Sequence, residues 1–434
     1  MKKIQIVFLL FLSIQNNYGQ IIEKNWENCS KYLGNVSRDL SSYNITTTPD
    51  NWLSYWNQVT PSNAGKWGFV EEERDVMKWE GLDKAYYLAK SNNLKFKQHV
   101  FVWGNQQPEW IDDLSNEEQL EEIEEWISEF CTRYPATDQI DVVNEARSNK
   151  PNGGLRGNGT YRANYIQALG GQGETGIDWI IKAFELARKH CPNAELILND
   201  YGILNNPSNR ESHIEIANIL KGLNLIDAIG VQGHSFTIEN MTREQLKLAL
   251  DQLGETDLPI YISELDLDAE GSNPETTQLN RYQELFPVMW EHPDIAGITL
   301  WGYIKDDIWR EDAYLVLGPS INAQERPAMQ WIKNYVNSTN SGCDNVGPVL
   351  SIEVEDNMAF GFYPNPVNKG SSIDLMLEKD IISINIISPR GKLLYQKDID
   401  QFTRSIKISL EEGLYLIEGI KNDGKKIIKK LLVK

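Results

Sequence analysis

Basic side chains are scarce in this sequence relative to acidic ones. The 434 residues include 42 lysines and arginines against 62 aspartates and glutamates, which gives a formal net charge of −20. A nucleic acid partner needs many cationic side chains to neutralise its phosphates. The charge balance therefore argues against nucleic-acid binding and is more compatible with a neutral or basic ligand.

Long apolar runs are missing beyond the N-terminal segment. Residues 1–19 begin with Met1-Lys2-Lys3, continue with an apolar run from Ile4 to Ile14 and end in small and polar residues up to Gly19. This pattern is typical of a secretory signal peptide and is too short to span a membrane. No later stretch reaches about 18 apolar residues. We therefore expect no membrane span and a protein that is secreted or attached to the cell surface.

Cysteine is also rare. The four cysteines are Cys29, Cys131, Cys191 and Cys343, and their spacing does not resemble that of a zinc site. Export would place them in an oxidising environment, where four cysteines allow three pairings. We hypothesise the pairs Cys131–Cys191, each at the end of a helical stretch before a strand, and Cys29–Cys343, joining the ends of the large domain. No metal or cofactor is predicted.

The length of the chain predicts a large domain and a smaller one. From residue 21 to 337 short apolar runs alternate with longer helical patterns, which predicts an α/β fold, a (β/α)8 TIM barrel. Several predicted strands are followed at once by polar or aromatic residues, where such a barrel keeps its functional groups. The predicted strands are Tyr32–Val36, Gln58–Thr60, Lys95–Val102, Ile140–Val143, Glu195–Leu198, Ala228–Val231, Ile260–Ile262 and Gly297–Leu300.

The pattern changes after the barrel. Turn-forming residues predict a linker over residues 338–348. Residues 349–434 show short alternating strands, such as Ser383–Ile387 and Gly413–Ile417, and predict a small all-β sandwich. Within the barrel, the acidic stretch Asn116–Glu125 has interleaved apolar residues, so we interpret it as the solvated side of an amphipathic helix without a functional role.

Two predicted strands each deliver a glutamate to the barrel mouth. Glu145 follows the run Asp141-Val142-Val143-Asn144, and Glu264 follows the strand at Ile260–Ile262. Cleavage of a glycosidic bond needs one carboxylic acid to protonate the leaving oxygen and one carboxylate to attack or to activate water. A single glutamate in such a place has even odds of merely capping the next helix. Two together, with Asn144 beside one of them, favour catalysis.

Several motifs in order give the chain a resemblance to glycoside hydrolase family ten, the retaining endo-β-1,4-xylanase family, over nearly all of residues 21–337. The motifs begin with Thr60-Pro61-Ser62-Asn63-Ala64-Gly65-Lys66-Trp67 and with His99-Val100-Phe101-Val102-Trp103, the latter with Gln106, Pro108 and Trp110. Further matches are Asn144-Glu145-Ala146, Asn199-Asp200-Tyr201, Gln232 with His234, Glu264-Leu265-Asp266, and Trp301-Gly302 with Trp309.

The resemblance implies a role for each matching residue. Glu145 would be the acid/base and Glu264 the nucleophile of a xylan-cleaving double displacement. Asn144 would donate to the substrate 2-hydroxyl, and His234 would hydrogen-bond Glu264 and help to keep it ionised. The remaining implied substrate-binding residues are Asn63, Lys66, His99, Trp103, Gln106, Tyr201, Gln232, Trp301 and Trp309. Without the resemblance, we would interpret His99 as a histidine of the core whose ring nitrogens are hydrogen-bonded within the protein.

Two positions depart from the family pattern. Ser62 stands where the family usually has glutamate, and Gly104 stands where it usually has a second histidine; these losses would widen the pocket or change which hydroxyls are recognised. Lys305 and Ile308 also differ. Two alternatives therefore stay open, namely activity on another β-linked polysaccharide and, from another class, a polysaccharide-binding protein without catalysis.

The C-terminal segment resembles the sorting domains of the type nine secretion system. Its matching motifs are Phe362-Tyr363-Pro364-Asn365-Pro366, Pro389-Arg390-Gly391-Lys392 and Gly413-Leu414-Tyr415-Leu416. The resemblance implies that the secretion machinery is a partner of this segment, and the polysaccharide is the partner of the barrel. A small carbohydrate-binding sandwich is the weaker interpretation, because the predicted strands show little exposed tryptophan for stacking.

Overall fold

Eight parallel strands form a closed barrel in the computed structural model, which describes residues 31–38, 49–154, 162–339, 360–363, 365, 367–377, 381–388, 392–399, 405–422 and 425–434. Each strand pairs with its neighbours in chain order, and the first strand pairs with the eighth to close the barrel. The predicted TIM barrel is confirmed. Its strands are β1 Tyr32–Ser37, β2 Gln58–Pro61, β3 Lys95–Val102, β4 Gln139–Asn144, β5 Glu195–Asp200, β6 Ala228–Val231, β7 Ile260–Leu265 and β8 Ile295–Leu300.

Helices surround the barrel, and several begin at strong start signals. Ser115 and Glu118 form a capping box at the start of the helix Asn116–Arg133, and Thr242 with Gln245 does the same for the helix Arg243–Gly254. Proline occupies the first turn of α6, α9 and α10, where its missing N–H costs nothing. The helices are α1 Trp52–Tyr55, α2 Trp67–Val70, α3 Glu80–Ser91, α4 Asn116–Arg133, α5 Asp178–His190, α6 Pro207–Gly222, α7 Ser235–Ile238, α8 Arg243–Gly254, α9 Pro274–Trp290 and α10 Pro327–Ser338.

Helix α4 explains the acidic stretch. Ile123 and Trp126 are fully buried against the barrel, whereas Glu117 and Glu121 on the other side are exposed. Full burial of an apolar side chain of this size stabilises the fold by about 1.5–3 kcal/mol. The interpretation of Asn116–Glu125 as the polar side of an amphipathic helix is confirmed.

A disulfide joins α4 to the end of α5. Cys131 lies in the last turn of α4, Cys191 directly follows α5, and their Cα atoms are 5.3 Å apart. The hypothesised pair Cys131–Cys191 is confirmed. Cys29 and Cys343, the other hypothesised pair, lie outside the described residues.

Two antiparallel sheets form the C-terminal part. One has the strand order β13-β10-β9 and the other β12-β11-β14-β15, and residues from both share one hydrophobic cluster that includes Ile373, Ile384 and Ile417. The predicted all-β sandwich is confirmed. Its strands are β9 Phe360–Tyr363, β10 Ser372–Leu377, β11 Ile381–Ile387, β12 Leu393–Asp398, β13 Ser405–Lys407, β14 Gly413–Lys421 and β15 Lys426–Val433.

The boundaries between the parts stay predictions. Helix α10 continues to Ser338, so the first residue of the proposed linker is helical, and residues 340–359 lie outside the described part of the chain. The signal peptide of residues 1–19 lies outside it as well. Among the described helices, none has both the length and the apolar composition needed to cross a bilayer.

Candidate active site

A cleft of about 450 Å³ opens where the barrel strands end. It is the place where a barrel of this kind collects the residues that follow its strands. Every site residue predicted from the sequence lines this cleft. These residues are Asn63, Lys66, His99, Trp103, Gln106, Asn144, Glu145, Tyr201, Gln232, His234, Glu264, Trp301 and Trp309.

Glu145 is buried at the end of β4 and surrounded by three donors. Trp103 Nε1 lies 3.1 Å from its Oε2, Asn149 Nδ2 donates to the same oxygen, and Gln232 Nε2 lies 3.3 Å from Oε1. Burial raises the pKa of Glu145, and the negative charge of Glu264 raises it further, against the three hydrogen bonds. The carboxyl group is therefore biased toward the protonated form that an acid catalyst requires.

A left-handed backbone at Glu145 brings Asn149 into the site. The φ angle of Glu145 is 53°, in a region that residues other than glycine rarely adopt. Its N–H continues the barrel by donating to the Asn199 carbonyl at 2.9 Å, and the chain then turns so that the Asn149 N–H donates to the Glu145 carbonyl at 3.0 Å. This turn places the Asn149 amide within hydrogen-bonding distance of the Glu145 carboxylate.

The same turn corrects the expectation about Gly104. The Gly104 N–H donates to the Asn149 carbonyl at 2.7 Å, and a Cβ atom at position 104 would lie 2.3 Å from that oxygen. The backbone of residues 149 and 150 therefore occupies the space that a side chain at position 104 would need. A wider pocket at Gly104 is therefore wrong as an expectation, because the chain itself fills the space, whereas a change in the hydroxyls that are recognised stays a prediction.

Glu264 lies inside β7, one residue before its end, and receives hydrogen bonds on both oxygens. Asn199 Nδ2 donates to Oε1 at 2.9 Å, and His234 Nε2 lies 3.1 Å from Oε2. Burial alone would raise the pKa of Glu264, but the hydrogen bond from His234, together with electrostatic contributions from His99, His234 and Lys97, outweighs it and lowers the pKa to about 2. Glu264 is thus held as a carboxylate.

Asp266 holds His234 in its charged form. Its Oδ2 lies 2.8 Å from His234 Nδ1, and its Oδ1 accepts from the Ser235 N–H at 2.8 Å. Burial works against the imidazolium, yet Asp266 and Glu264 together raise the pKa of His234 to about 10. Both ring nitrogens then donate, so one cation lies between two carboxylates.

A chain of amides links the two glutamates. Asn199 Nδ2 lies 2.9 Å from Glu264 and 3.0 Å from Asn144 Oδ1, and Gln232 Nε2 lies 3.2 Å from Asn144 Oδ1 and 3.3 Å from Glu145. Asn144 Nδ2, in contrast, is buried without a hydrogen-bond partner among the described residues. A buried amide donor without a partner is costly, and a substrate hydroxyl would satisfy it.

Two buried lysines and a buried histidine lie beside the nucleophile, and burial and the charge of Lys66 lower the pKa of that histidine, His99. Lys66 Nζ donates to the Ser62 carbonyl at 3.3 Å, and burial lowers its pKa to about 8. His99 Nδ1 and Lys97 Nζ lie 2.8 Å and 3.3 Å from Asp141 Oδ2, and the charge of Lys97 helps to lower the pKa of Glu264. The surroundings of Glu264 therefore favour its ionised state on more than one side.

Aromatic rings form the walls of the cleft. Trp301 packs edge-on against His99 with ring centres 5.2 Å apart, and Trp309 packs on His234 at 4.8 Å. Trp309 Nε1 donates to Asp266 Oδ2 at 2.8 Å, which fixes a ring that remains 47% exposed. Flat apolar faces with a fixed orientation suit the apolar face of a sugar ring.

Several residues of the site were given no role in the sequence analysis, although Asn199 and Asp266 lie in motifs that it names. Asn149, Asp266 and Asn199 make contacts that set the state of the two glutamates, and Arg38 and Phe236 line the cleft. Arg38 directly follows β1. Because residues that follow the barrel strands lie at the barrel mouth, this position could have identified Arg38 as a site residue from the sequence. Neither Lys305 nor Ile308, which differ from the family pattern, is among the described residues that line the cleft.

Residues 22–335 match Glycosyl hydrolase family 10, and residues 361–434 match the Secretion system C-terminal sorting domain. The first match covers most of the chain. The protein belongs to glycosyl hydrolase family 10. The C-terminal match confirms the resemblance to a type nine secretion sorting domain, and it implies that the chain is secreted or attached to the cell surface.

Curated relatives agree with this assignment. The chain is 42% identical over 300 residues to Endo-1,4-beta-xylanase B of Cellvibrio japonicus, an alignment that spans 68% of this chain and 45%, about half, of that protein. It is 28% identical over 324 residues to Endo-1,4-beta-xylanase A of Caldicellulosiruptor saccharolyticus, spanning 70% and 88% of the two chains. Native xylanase 10B from Thermotoga maritima shares the fold, with a TM-score of 0.60, 23% identity and coverage of 74% and 99%.

Proposed function

We propose that this protein is a secreted, retaining endo-1,4-β-xylanase with Glu145 as acid/base and Glu264 as nucleophile. The main support for the proposal is that the pKa values of two carboxyl groups in one cleft are shifted in opposite directions. The pKa of Glu145 is raised, whereas that of Glu264 is lowered to about 2. Paired carboxyl groups whose surroundings separate their pKa values are suited to one acid and one nucleophile. The family and the names of the relatives support xylan as the substrate.

Each proton and bond in the reaction has an assigned group. Glu264 attacks the anomeric carbon while Glu145 gives its proton to the leaving oxygen, which forms a glycosyl-enzyme intermediate and frees the first product. Glu145 then takes a proton from water, and the water oxygen displaces Glu264 with net retention of configuration. Loss of the Glu264 charge in the intermediate removes one cause of the raised Glu145 pKa, so Glu145 becomes a better base for the second step.

Release of reducing ends from xylan tests the proposal. We expect wild type to release them and Glu264→Gln to release none, while Glu275→Gln, at an exposed position in α9, retains activity. Glu145→Ala should still cleave an aryl xyloside with a good leaving group, because that group needs no protonation, and added azide should accelerate turnover and give a β-glycosyl azide. An α-configured azide product would contradict the double displacement.

A substrate panel separates the two alternatives. Cleavage of β-glucans or algal polysaccharides in preference to xylan would assign the protein to another β-glycan. Binding of all these polymers without release of reducing ends from any of them would make it a binding protein. For export, we propose that residues 1–19 act as a signal peptide; secretion of a chain without them would show that this proposal is wrong.

A further inference from the structure

Arg38 brings a cation to the cleft at a place where the sequence motifs assign no function. It is the first residue beyond β1, and Ser37 at the end of that strand pairs with Pro61 of β2. Ser62 then donates its N–H to the Ser37 carbonyl at 2.9 Å. Arg38 and Ser62 are therefore neighbours at the mouth of the barrel, and both line the cleft.

The guanidinium group of Arg38 is only loosely paired. Its Nε lies 3.7 Å from Oδ1 of the buried Asp307, the one salt bridge of Arg38 within the described residues. The same Nε is buried and has no hydrogen-bond partner in that part of the chain. The side chain keeps 29% of its surface exposed. Since a guanidinium carries five N–H donors, Arg38 has donors to offer to a ligand in the cleft.

Ser62 adds no charge of its own to the cleft lining beside Arg38. A carboxylate at position 62 would lie close to Arg38 and Lys66 and would neutralise part of their charge. Ser62 instead supplies only a carbonyl oxygen to Lys66, at 3.3 Å. Burial and, more weakly, the charge of Arg38 favour the neutral amine of Lys66, whereas the charges of Glu264, Asp141 and Glu145 favour its ammonium form. Two cations thus share a wall of the cleft, and an anion bound there would relieve their repulsion.

We infer that Arg38 binds the carboxylate of a uronic acid side group on the xylan chain, with Lys66 adding to the positive potential. The inference rests on the proposed xylanase function and specifies its substrate class. The planar fork of arginine matches a carboxylate in a two-point hydrogen bond, which a neutral sugar hydroxyl cannot reproduce. The net charge of −20 repels an acidic polymer at long range, so the attraction has to come from a local contact of this kind.

A matched pair of substrates tests the inference. The first is xylan bearing glucuronic acid side groups, and the second is the same xylan after reduction of its carboxyl groups to primary alcohols. Wild type should cleave the acidic polymer with the higher kcat/KM. Arg38→Gln should lower the ratio of the two kcat/KM values by about tenfold, the effect of one charged hydrogen bond. Arg38→Lys should keep part of the preference.

Ser62→Glu provides an independent variant, because a carboxylate beside Arg38 would compete with the substrate and lower the same ratio. The ratio is measured on one preparation, so a partly misfolded variant changes both values equally and leaves the ratio intact. An equal ratio in wild type and Arg38→Gln would overturn the inference while the xylanase function stands. Failure of wild type to cleave either polymer would instead refute the xylanase function, and with it the inference.

Discussion

Three neutral side chains hold the carboxyl group of Glu145, and each of them favours the ionised form. Burial and the charge of Glu264 act in the opposite direction and prevail, since the pKa is raised. The balance sets the pH at which the proposed acid loses its proton. Because Asn149 and Trp103 share one oxygen of Glu145, a change at either of them should alter this balance without touching Glu264.

Asn149→Ala tests this balance directly. Removal of the Asn149 hydrogen bond, which lowers the pKa of Glu145, should raise that pKa further. Glu145 would then stay protonated to a higher pH, so the alkaline limb of the kcat/KM profile on xylan should move to higher pH. Asn193→Ala, at an exposed asparagine outside the cleft, serves as the control. An alkaline limb that stays in place or moves to lower pH would contradict the assignment of Glu145.

His234→Gln should change the acidic limb of the kcat/KM profile. The variant removes the cation that lowers the pKa of Glu264, so this pKa should rise and the acidic limb of the profile should move to higher pH. Loss of one charged hydrogen bond should also lower kcat at neutral pH by roughly 10- to 100-fold. His190→Gln, which changes a histidine paired with Glu124 outside the cleft, should leave both unchanged.

Residue identities were easier to predict than their contacts. Glu145, Glu264 and His234 lie in motifs that the sequence displays, so their place at the barrel mouth could be foreseen. Asn149 could not, because its contact with Glu145 depends on a left-handed backbone at a residue that is not glycine. Asp266 was visible in a motif, but its function follows only from the 2.8 Å contact with His234.

Among the elements, the segment after β4 and the segment after β3 depend on each other. Gly104 approaches the backbone of residues 149 and 150 so closely that no side chain fits between them. The Gly104 carbonyl also accepts from the Ala163 N–H at 2.9 Å, which ties a third segment to this point. The position of Asn149 therefore depends on a glycine far away in sequence.

Gly104→Ala should disturb both stability and activity. The added Cβ would push residue 149 away, which should lower the free energy of unfolding by about 1–3 kcal/mol and lower kcat on xylan. Gly222→Ala is the matched control, since nothing lies within 4 Å of a Cβ there. At the end of a helix this change should be neutral or stabilise by up to about 1 kcal/mol. Thermal unfolding curves of the two variants provide the comparison, and equal stabilities would contradict the close approach.

Strand positions were predicted well, but several strand ends were not. The predicted strands stopped at the last apolar residue, whereas β4, β5 and β7 continue into polar residues such as Asn144, Asp200 and Glu264. These side chains are buried because they line the cleft and bond to each other, a pattern that apolar periodicity cannot register. Buried polar residues at the ends of these strands therefore mark the end of the barrel that carries the site.

At the scale of the whole molecule, the hydrophobic clusters of the barrel share no residue with the cluster of the C-terminal sheets in the described part of the chain. Deletion of residues 349–434, which keeps Cys343, should therefore leave a folded enzyme with unchanged kcat/KM on xylan, while its delivery outside the cell should be lost. Deletion from residue 327 onward is the contrasting variant. It removes α10, whose Met329, Ile332 and Val336 are fully buried in the barrel cluster, and should yield an unfolded chain. Loss of activity in both deletions would show that the barrel depends on the tail.

The disulfide between Cys131 and Cys191 encloses β4, Glu145 and the turn to Asn149. A protease that cuts the chain once between the two cysteines would produce fragments that remain covalently joined. A nicked molecule would thus keep its two halves of the barrel together. Electrophoresis of nicked protein would show one band without reductant and two bands with it.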